Sequence, residues 1–128
     1  TPIWWGVQSS LAQSIVERFD AIDTWGQDND YYALYNKVFG SIVSGGGDGF
    51  QHIHGILFSF ASNLGMTVPP TCNLEIATQG KDKIMKDKDA KKWITIWCKN
   101  MVTWATILKK ANPSKYVQDD DIIRPKYT

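Results

Sequence analysis

Apolar positions recur with helical spacing in the middle of the chain. Between positions 48 and 65, apolar side chains return every three or four residues, as on one face of a helix. They are Phe50, Ile53, Ile56, Leu57, Phe60, Ala61 and Leu64. Asp48 is suited to cap the first turn, and Gly65 fits the left-handed residue that follows a last turn. The pattern predicts a central apolar helix from Asp48 to Leu64.

The same spacing predicts further helices on both sides of the central one. Ser10 and Gln13 have capping-box spacing at the start of the first. Pro69 and Pro70 mark a loop, because proline cannot continue a helix. The predicted helices are Ser10 to Thr24, Asp30 to Val43, a short turn from Asn73 to Thr78, and Asp89 to Ala111 with several tryptophans on one face.

These elements predict an all-α, single-domain helical bundle of about four to five helices around the central apolar helix. Residues 1–8 are expected to form an extended N-terminal arm, residues 9–113 the bundle and residues 114–128 an extended C-terminal tail. Trp4 and Trp5 in the arm need an apolar seat. That seat is either the core of this domain or a partner.

Charge and composition narrow the range of partners. Lysine and arginine number 14 against 13 acidic residues, so the chain has no global basic surface for nucleic acid. Residues 81–92 hold six lysines and three aspartates and are expected to be solvated. A docking patch for an acidic partner is the alternative, and nucleic acid is a less favoured partner. No apolar run is long enough to span a bilayer, and a soluble, intracellular, cytoplasmic protein is predicted.

Candidate chemistry is sparse. His52 and His54 are two positions apart, which places them on different sides of a helix and disfavours a shared metal ion. Cys72 and Cys98 are expected to be reduced, with a disulfide as the alternative. The three glycines at 45–47 lack both common phosphate-loop spacings. We therefore predict no metal, no cofactor and no enzymatic activity.

Three segments resemble the Bcl-type apoptosis regulators, which bind an amphipathic partner helix in a surface groove. FSFAS at Phe58 to Ser62 is similar to the family's central helix, and residues 35–50 to the segment leading into it. In LAQSIVERFDAI the spacing of the family's short death motif falls on Leu11, Ile15, Asp20 and Ile22. The family's Asn-Trp-Gly-Arg signature would fall on positions 50–53, where this chain has Phe-Gln-His-Ile.

The resemblance implies a non-enzymatic protein–protein interaction domain in apoptosis regulation. In this hypothesis an amphipathic helix binds a groove lined by Val38, Phe39, Ile42 and Ile56. The alternative is a self-assembling viral coat, matrix or nucleoprotein domain. Its oligomerisation would use the terminal segments, through Trp4, Trp5, Ile122 and Ile123.

Overall fold

The computed structural model describes residues 1–29, 34–77 and 80–111. Helices and short strands alternate along these residues. In chain order the elements are β1 (Ile3–Trp4), β2 (Val7–Gln8), α1 (Ser10–Arg18), α2 (Asp20–Asn29), β3 (Ser41–Ser44), α3 (Phe50–Asn63), β4 (Asn73–Ile76), α4 (Lys81–Lys86) and α5 (Lys88–Ala111).

Parallel strand pairing forms the centre of the fold. β3 pairs with β4 in parallel, from Ser41 opposite Asn73 to Ser44 opposite Ile76. On the other side of β3, Pro2 bridges Ser44 in parallel, and the Ser44 amide donates to the Thr1 carbonyl at 3.0 Å. The order across the sheet is therefore Thr1–Pro2, β3 and β4.

Helices cover both faces of this sheet. Val43 of β3 is fully buried against Ile53 and Leu57 of α3, and Val16 of α1 packs against the same cluster. Ile42 packs on the opposite face, with Leu74 and Ile76 of β4, Ala90 and Trp97 of α5, and Ile84 of α4. Since two right-handed crossovers in the same direction place their helices on one face, α1 and α3 share a layer. The architecture is a three-layer α/β/α arrangement.

α5 is fixed at its start and in its middle. The Asp87 carboxylate accepts hydrogen bonds from the Asp89 and Ala90 amides at 2.9 and 3.0 Å. Asp87 therefore caps the N-terminus of α5. Further along, the Trp97 indole donates to the Cys72 carbonyl at 2.7 Å. These contacts hold α5 against β4 and the loop before it.

The predicted all-α bundle is wrong, because the chain folds around a parallel sheet. Residues 41–43 were expected at the end of a helix from Asp30 to Val43 and residues 73–76 in a short helical turn, yet residues 41–44 and 73–76 form strands. Residues 30–33 lie outside the described part. Each strand has four residues, too short a run for periodicity to separate a buried strand from a helix. The pairing of β3 with β4, which is distant along the chain, makes both segments strands.

The longer helices were predicted correctly, but the residues predicted to cap them were not all correct. α3 and α5 confirm the helices predicted over Asp48 to Leu64 and Asp89 to Ala111, and Gly65 has the expected left-handed backbone, with φ +78°. Gly49, not Asp48, occupies the N-cap of α3. The first predicted helix is divided into α1 and α2 at Phe19, and its N-cap is Ser9, which accepts from the Ala12 amide.

Two glycine substitutions at α3 should have opposite effects on stability. Gly55 lies on the exposed side of the helix with open space around an added side-chain carbon, so Gly55→Ala should raise the free energy of unfolding by about 1 kcal/mol. At Gly65 the added carbon would meet the Tyr35 ring in a left-handed conformation. Gly65→Ala should therefore lower the free energy of unfolding by about 1–3 kcal/mol. Urea unfolding followed by circular dichroism would measure both, and equal shifts would contradict this packing.

Candidate functional site

Two loops meet at the carboxyl edge of the parallel sheet. Residues 3–9 follow the Thr1–Pro2 strand, and residues 45–49 follow β3. In open α/β sheets ligands bind in the crevice outside the carboxyl ends of the strands. The side chains and backbone of these two loops therefore form the candidate site.

The first loop presents an exposed tryptophan at the tip of a hairpin. β1 and β2 pair antiparallel, with Ile3 opposite Gln8 and Trp4 opposite Val7. Trp5 and Gly6 form the tip with φ of +51° and +81°, as a two-residue hairpin turn with positive φ at both positions requires. The Trp5 side chain is fully exposed, at 101%. A large apolar residue held in the left-handed region costs about 1–2 kcal/mol, and such outliers concentrate at functional sites.

The second loop touches the first through backbone atoms. Gly49 has φ +113°, and a side-chain carbon placed there would lie 2.7 Å from the Cα and carbonyl oxygen of Gly6. A carbon added at Gly45 would lie 3.0 Å from the Ile3 side chain. Only glycine permits this approach at position 49, because any larger residue would overlap the hairpin backbone. The close contact sets the position of the hairpin relative to α3.

The start of α3 adds hydrogen-bond donors to the site. No side chain caps its N-terminus at Gly49. The first amide groups of a helix have no partner within the helix, and together with the helix dipole they favour an acceptor or an anion. The Asp48 side chain beside them is exposed. The edge thus combines an aromatic surface, backbone N–H groups and room for close approach of a ligand.

The structure separates the residues that the sequence nominated for partner binding. Trp4, 61% exposed, lies with Trp5 at the hairpin. Phe39 packs against the cluster under α3 and meets the Phe58 and Phe60 rings edge to face at 6.3 Å, whereas Ile42 packs on the opposite face of the sheet. The remaining nominated residues are Val38, half-buried before β3, Ile56, half-buried on α3, and Ile122 and Ile123, which lie outside the described residues.

Sequence reasoning missed the glycines of this site. The three glycines at 45–47 were considered as a phosphate loop and set aside because both common phosphate-loop spacings are absent. β3 precedes them and α3 follows, so the strand–loop–helix context of a ligand-binding glycine loop is present although those spacings are not. The glycines were visible in the sequence, and the strand before them was not predicted.

A separate cavity lies at the opposite edge of the sheet, between the end of α1, the start of α2 and the end of α3. Its volume is about 760 Å³. The lining consists of Val16, Glu17, Phe19, Asp20, Asp23, Phe60, Asn63 and Leu64. Because α1 and α3 run back from the carboxyl edge, this cavity is remote from the two loops and is not part of the candidate site.

Three other features concern metals, membranes and cysteines. Within residues 1–29, 34–77 and 80–111, no three His, Cys, Asp or Glu side chains gather in a way that could hold a metal ion. None of the helices in those ranges combines the length and apolar character needed to span a bilayer. Both cysteines are free, Cys72 buried and Cys98 exposed.

Comparisons with curated proteins give two matches of similar strength and very different kind. No family model matches the chain. Over 70 residues it is 36% identical to 8-demethyl-8-aminoriboflavin-5'-phosphate synthase of Streptomyces davaonensis, an alignment covering 55% of this chain and 27% of that protein. Over 70 residues it is 34% identical to the divalent metal cation transporter MntH of Mycobacterium bovis, covering 54% of this chain and 10% of that protein.

A solved structure extends the first match to most of the chain. The crystal structure of RosB with the bound intermediate 8-demethyl-8-formylriboflavin-5'-phosphate superposes with a TM-score of 0.69 at 28% identity. The match covers 90% of this chain and 48% of that one. The chain therefore spans about half of this structural relative and about a quarter of the synthase.

These findings overturn the predicted function. The similarity to a synthase and to RosB contradicts the Bcl-type resemblance, the apoptosis and viral structural roles, and the prediction that the protein is not an enzyme. The FSFAS string lies on α3, which packs against a sheet and not among the helices of a bundle. A short apolar string on a buried helix reports burial and carries little information about family.

The contact between the two loops can be tested with two glycines of one loop. Gly49→Ala should lower the free energy of unfolding by about 1–3 kcal/mol and displace the hairpin, because the new carbon meets the Gly6 backbone in a disfavoured conformation. Gly47→Ala is the matched control, since a side-chain carbon there would meet nothing within 4 Å. Urea unfolding and the emission spectrum of the tryptophans would compare the variants. Equal behaviour would show that the loops do not touch.

Proposed function

We propose that this chain supplies one wall of a flavin site in an enzyme that acts on a riboflavin 5'-phosphate derivative. The observation that carries the proposal is the contact of the hairpin that carries the exposed Trp5 with the glycine loop, through Gly6 and Gly49, at the carboxyl edge of the sheet. Support also comes from RosB, because its structure holds a riboflavin 5'-phosphate derivative and this chain matches 48% of it.

The hairpin suits the ring system of a flavin. The isoalloxazine is a planar, aromatic tricycle, and an exposed indole offers a flat apolar surface of comparable kind. Stacking of a heteroaromatic base on an aromatic side chain contributes about 1–3 kcal/mol. Trp5 would supply that stacking surface, while its left-handed backbone and the pairing of β1 with β2 hold it at the tip.

The glycine loop and the start of α3 suit the polar parts of the same ligand. A flavin carries two carbonyl oxygens on its pyrimidine ring and, in the 5'-phosphate, an anionic group. Both accept hydrogen bonds, and uncapped amides at a helix N-terminus donate to such groups. The residues from Gly46 to Phe50 would provide these donors, since the Gly45 amide already donates to the Ile76 carbonyl.

These residues bind and orient the flavin and shield part of it from water. The relatives' names describe flavins altered at the 8-position, so the flavin is the substrate in this proposal. Orientation is itself a large part of catalysis, because a held ring presents one position to a reacting group. We assign no bond-making step to the residues of the two loops.

Flavin binding should depend on Trp5. We expect the protein to quench the fluorescence of riboflavin 5'-phosphate on titration, and Trp5→Ala to weaken binding by roughly 5- to 150-fold, from the loss of about 1–3 kcal/mol of stacking. Trp93→Ala is the matched control, because Trp93 is also exposed, at 51%, but lies on α5 in the opposite layer. Its affinity should equal that of the unmodified protein.

Two results would contradict the proposal. One is the absence of any saturable flavin binding by the folded protein. The other is an equal loss of affinity in both tryptophan variants, which would assign the binding to a surface other than the hairpin. Circular dichroism of each variant would verify that the fold is retained.

A further inference from the structure

A buried serine–histidine pair lies beneath the glycine loop. The Ser41 hydroxyl and His54 Nδ1 are 2.6 Å apart, and both residues are almost wholly buried, His54 at 4% exposure. The Phe58 ring lies against the imidazole, with centroids 5.7 Å apart. The described part of the chain gives the other ring nitrogen, Nε2, no hydrogen-bond partner although it is buried.

The hydrogen bond joins the two ends of the segment that carries the loop. Ser41 is the first residue of β3, and His54 lies just over one turn into α3. Between them are the rest of β3, the loop at residues 45–49 and the first turn of α3. The bond therefore closes a short strand–loop–helix unit at its base and fixes the direction in which the helix leaves the loop.

We propose that His54 is a positioning residue for the flavin-binding loop, which it holds through Ser41, and that gain of a proton by His54 weakens flavin binding. This inference rests on the proposed function, since the loop at residues 45–49 is the part of the site that it positions. His54 touches no part of the candidate ligand surface and acts through the base of the loop.

The surroundings of His54 oppose its charged form. The pKa of His54 lies below its usual 6.5, mainly because burial disfavours the charged ring. The Thr1 amino group lowers this pKa as well, and the Glu75 carboxylate on β4 raises it in part. The pKa of that amino group is itself lowered by burial. A protonated ring would also leave a charged Nε2–H group buried without a partner. These charges face His54 from β4 and from the Thr1–Pro2 strand, while β3 contributes the neutral Ser41.

The direction of the pH effect follows from this lowered pKa. The folded protein binds a proton at His54 more weakly than the unfolded protein does. The neutral His54 therefore contributes fully to the free energy of unfolding above pH 6.5. This contribution is lost as the pH falls through the pKa of the folded state. When fewer molecules hold the loop in its binding geometry, the apparent affinity for a ligand falls by the same fraction. Flavin affinity should therefore decrease in mild acid.

Riboflavin is the better probe for this test, because the phosphate of riboflavin 5'-phosphate titrates near pH 6 itself. Affinity for riboflavin would be measured by fluorescence quenching between about pH 5.5 and 7.5, the range in which histidines titrate. The variants are His54→Gln, Ser41→Ala and His52→Gln. His52 is exposed two residues away on α3 and provides the matched control, and all variants retain Glu75 and the Thr1 amino group.

We expect the unmodified protein and His52→Gln to lose affinity several-fold in acid. His54→Gln should have the same affinity at both ends of the range, and Ser41→Ala should bind weakly throughout. Acid weakening that persists in His54→Gln, or no acid weakening in the unmodified protein, would overturn the proposal.

A second measurement separates this proposal from the proposed function. In an NMR titration of the protein without flavin, the amide signals of residues 45–49 should shift with the same midpoint as the His54 ring, below 6.5. If they do so in a protein that binds no flavin, the flavin site is wrong and the positioning role stands. If they do not move with His54, the positioning role is wrong even where flavin binds.

Discussion

Parallel pairing of β3 with its two neighbours is the constraint on which the rest of the fold depends. Parallel strands need a long connection between them, and sheets of this kind are stable when helices cover both faces. Each strand here is short, so the sheet has little area of its own. The packing of α1 and α3 on one face and α4 and α5 on the other supplies the missing burial. Removing either layer would leave β3 exposed on one side.

The sequence revealed the helices better than the sheet, for a physical reason. α3 and α5 have 14 and 24 residues, long enough for an amphipathic stripe to be unmistakable. The short run Ser41, Ile42, Val43 and Ser44 fits a helix as well as a strand, because four residues span little more than one helical turn. What distinguishes them is the partner at residues 73–76, and pairing across that distance leaves no periodic trace.

The candidate site was hidden by the same error. Trp4 and Trp5 were nominated because their indoles need an apolar seat, and the seats considered were this domain's own core and a partner or neighbouring subunit. The three glycines at 45–47 were set aside as a phosphate loop because they lack the common spacings, and no strand was predicted before them. Once β3 is in place, both features lie at one edge of one sheet. Local composition identified the tryptophans and the glycines, and only the strand topology shows that they lie close together.

Three residues that depart from local rules lie at or next to this edge. Trp5 holds a left-handed backbone, Gly49 allows a backbone contact that no other residue would permit, and His54 leaves a buried nitrogen without a partner in the described chain. Each costs stability, and such departures are expected where function requires them. Asn36 and Thr71 also have positive φ and lie before β3 and β4, so backbone strain is not confined to the candidate site.

The strand order explains why this site is an open wall. In doubly wound sheets a ligand occupies the crevice where the order of strands reverses. Across the described strands the order runs in one direction, from Thr1–Pro2 through β3 to β4, and α1 and α3 lie on one face. A crevice therefore needs a second wall beyond the Thr1–Pro2 strand. Under the proposed function, the full exposure of Trp5 is what we expect of a surface that meets its ligand from one side only.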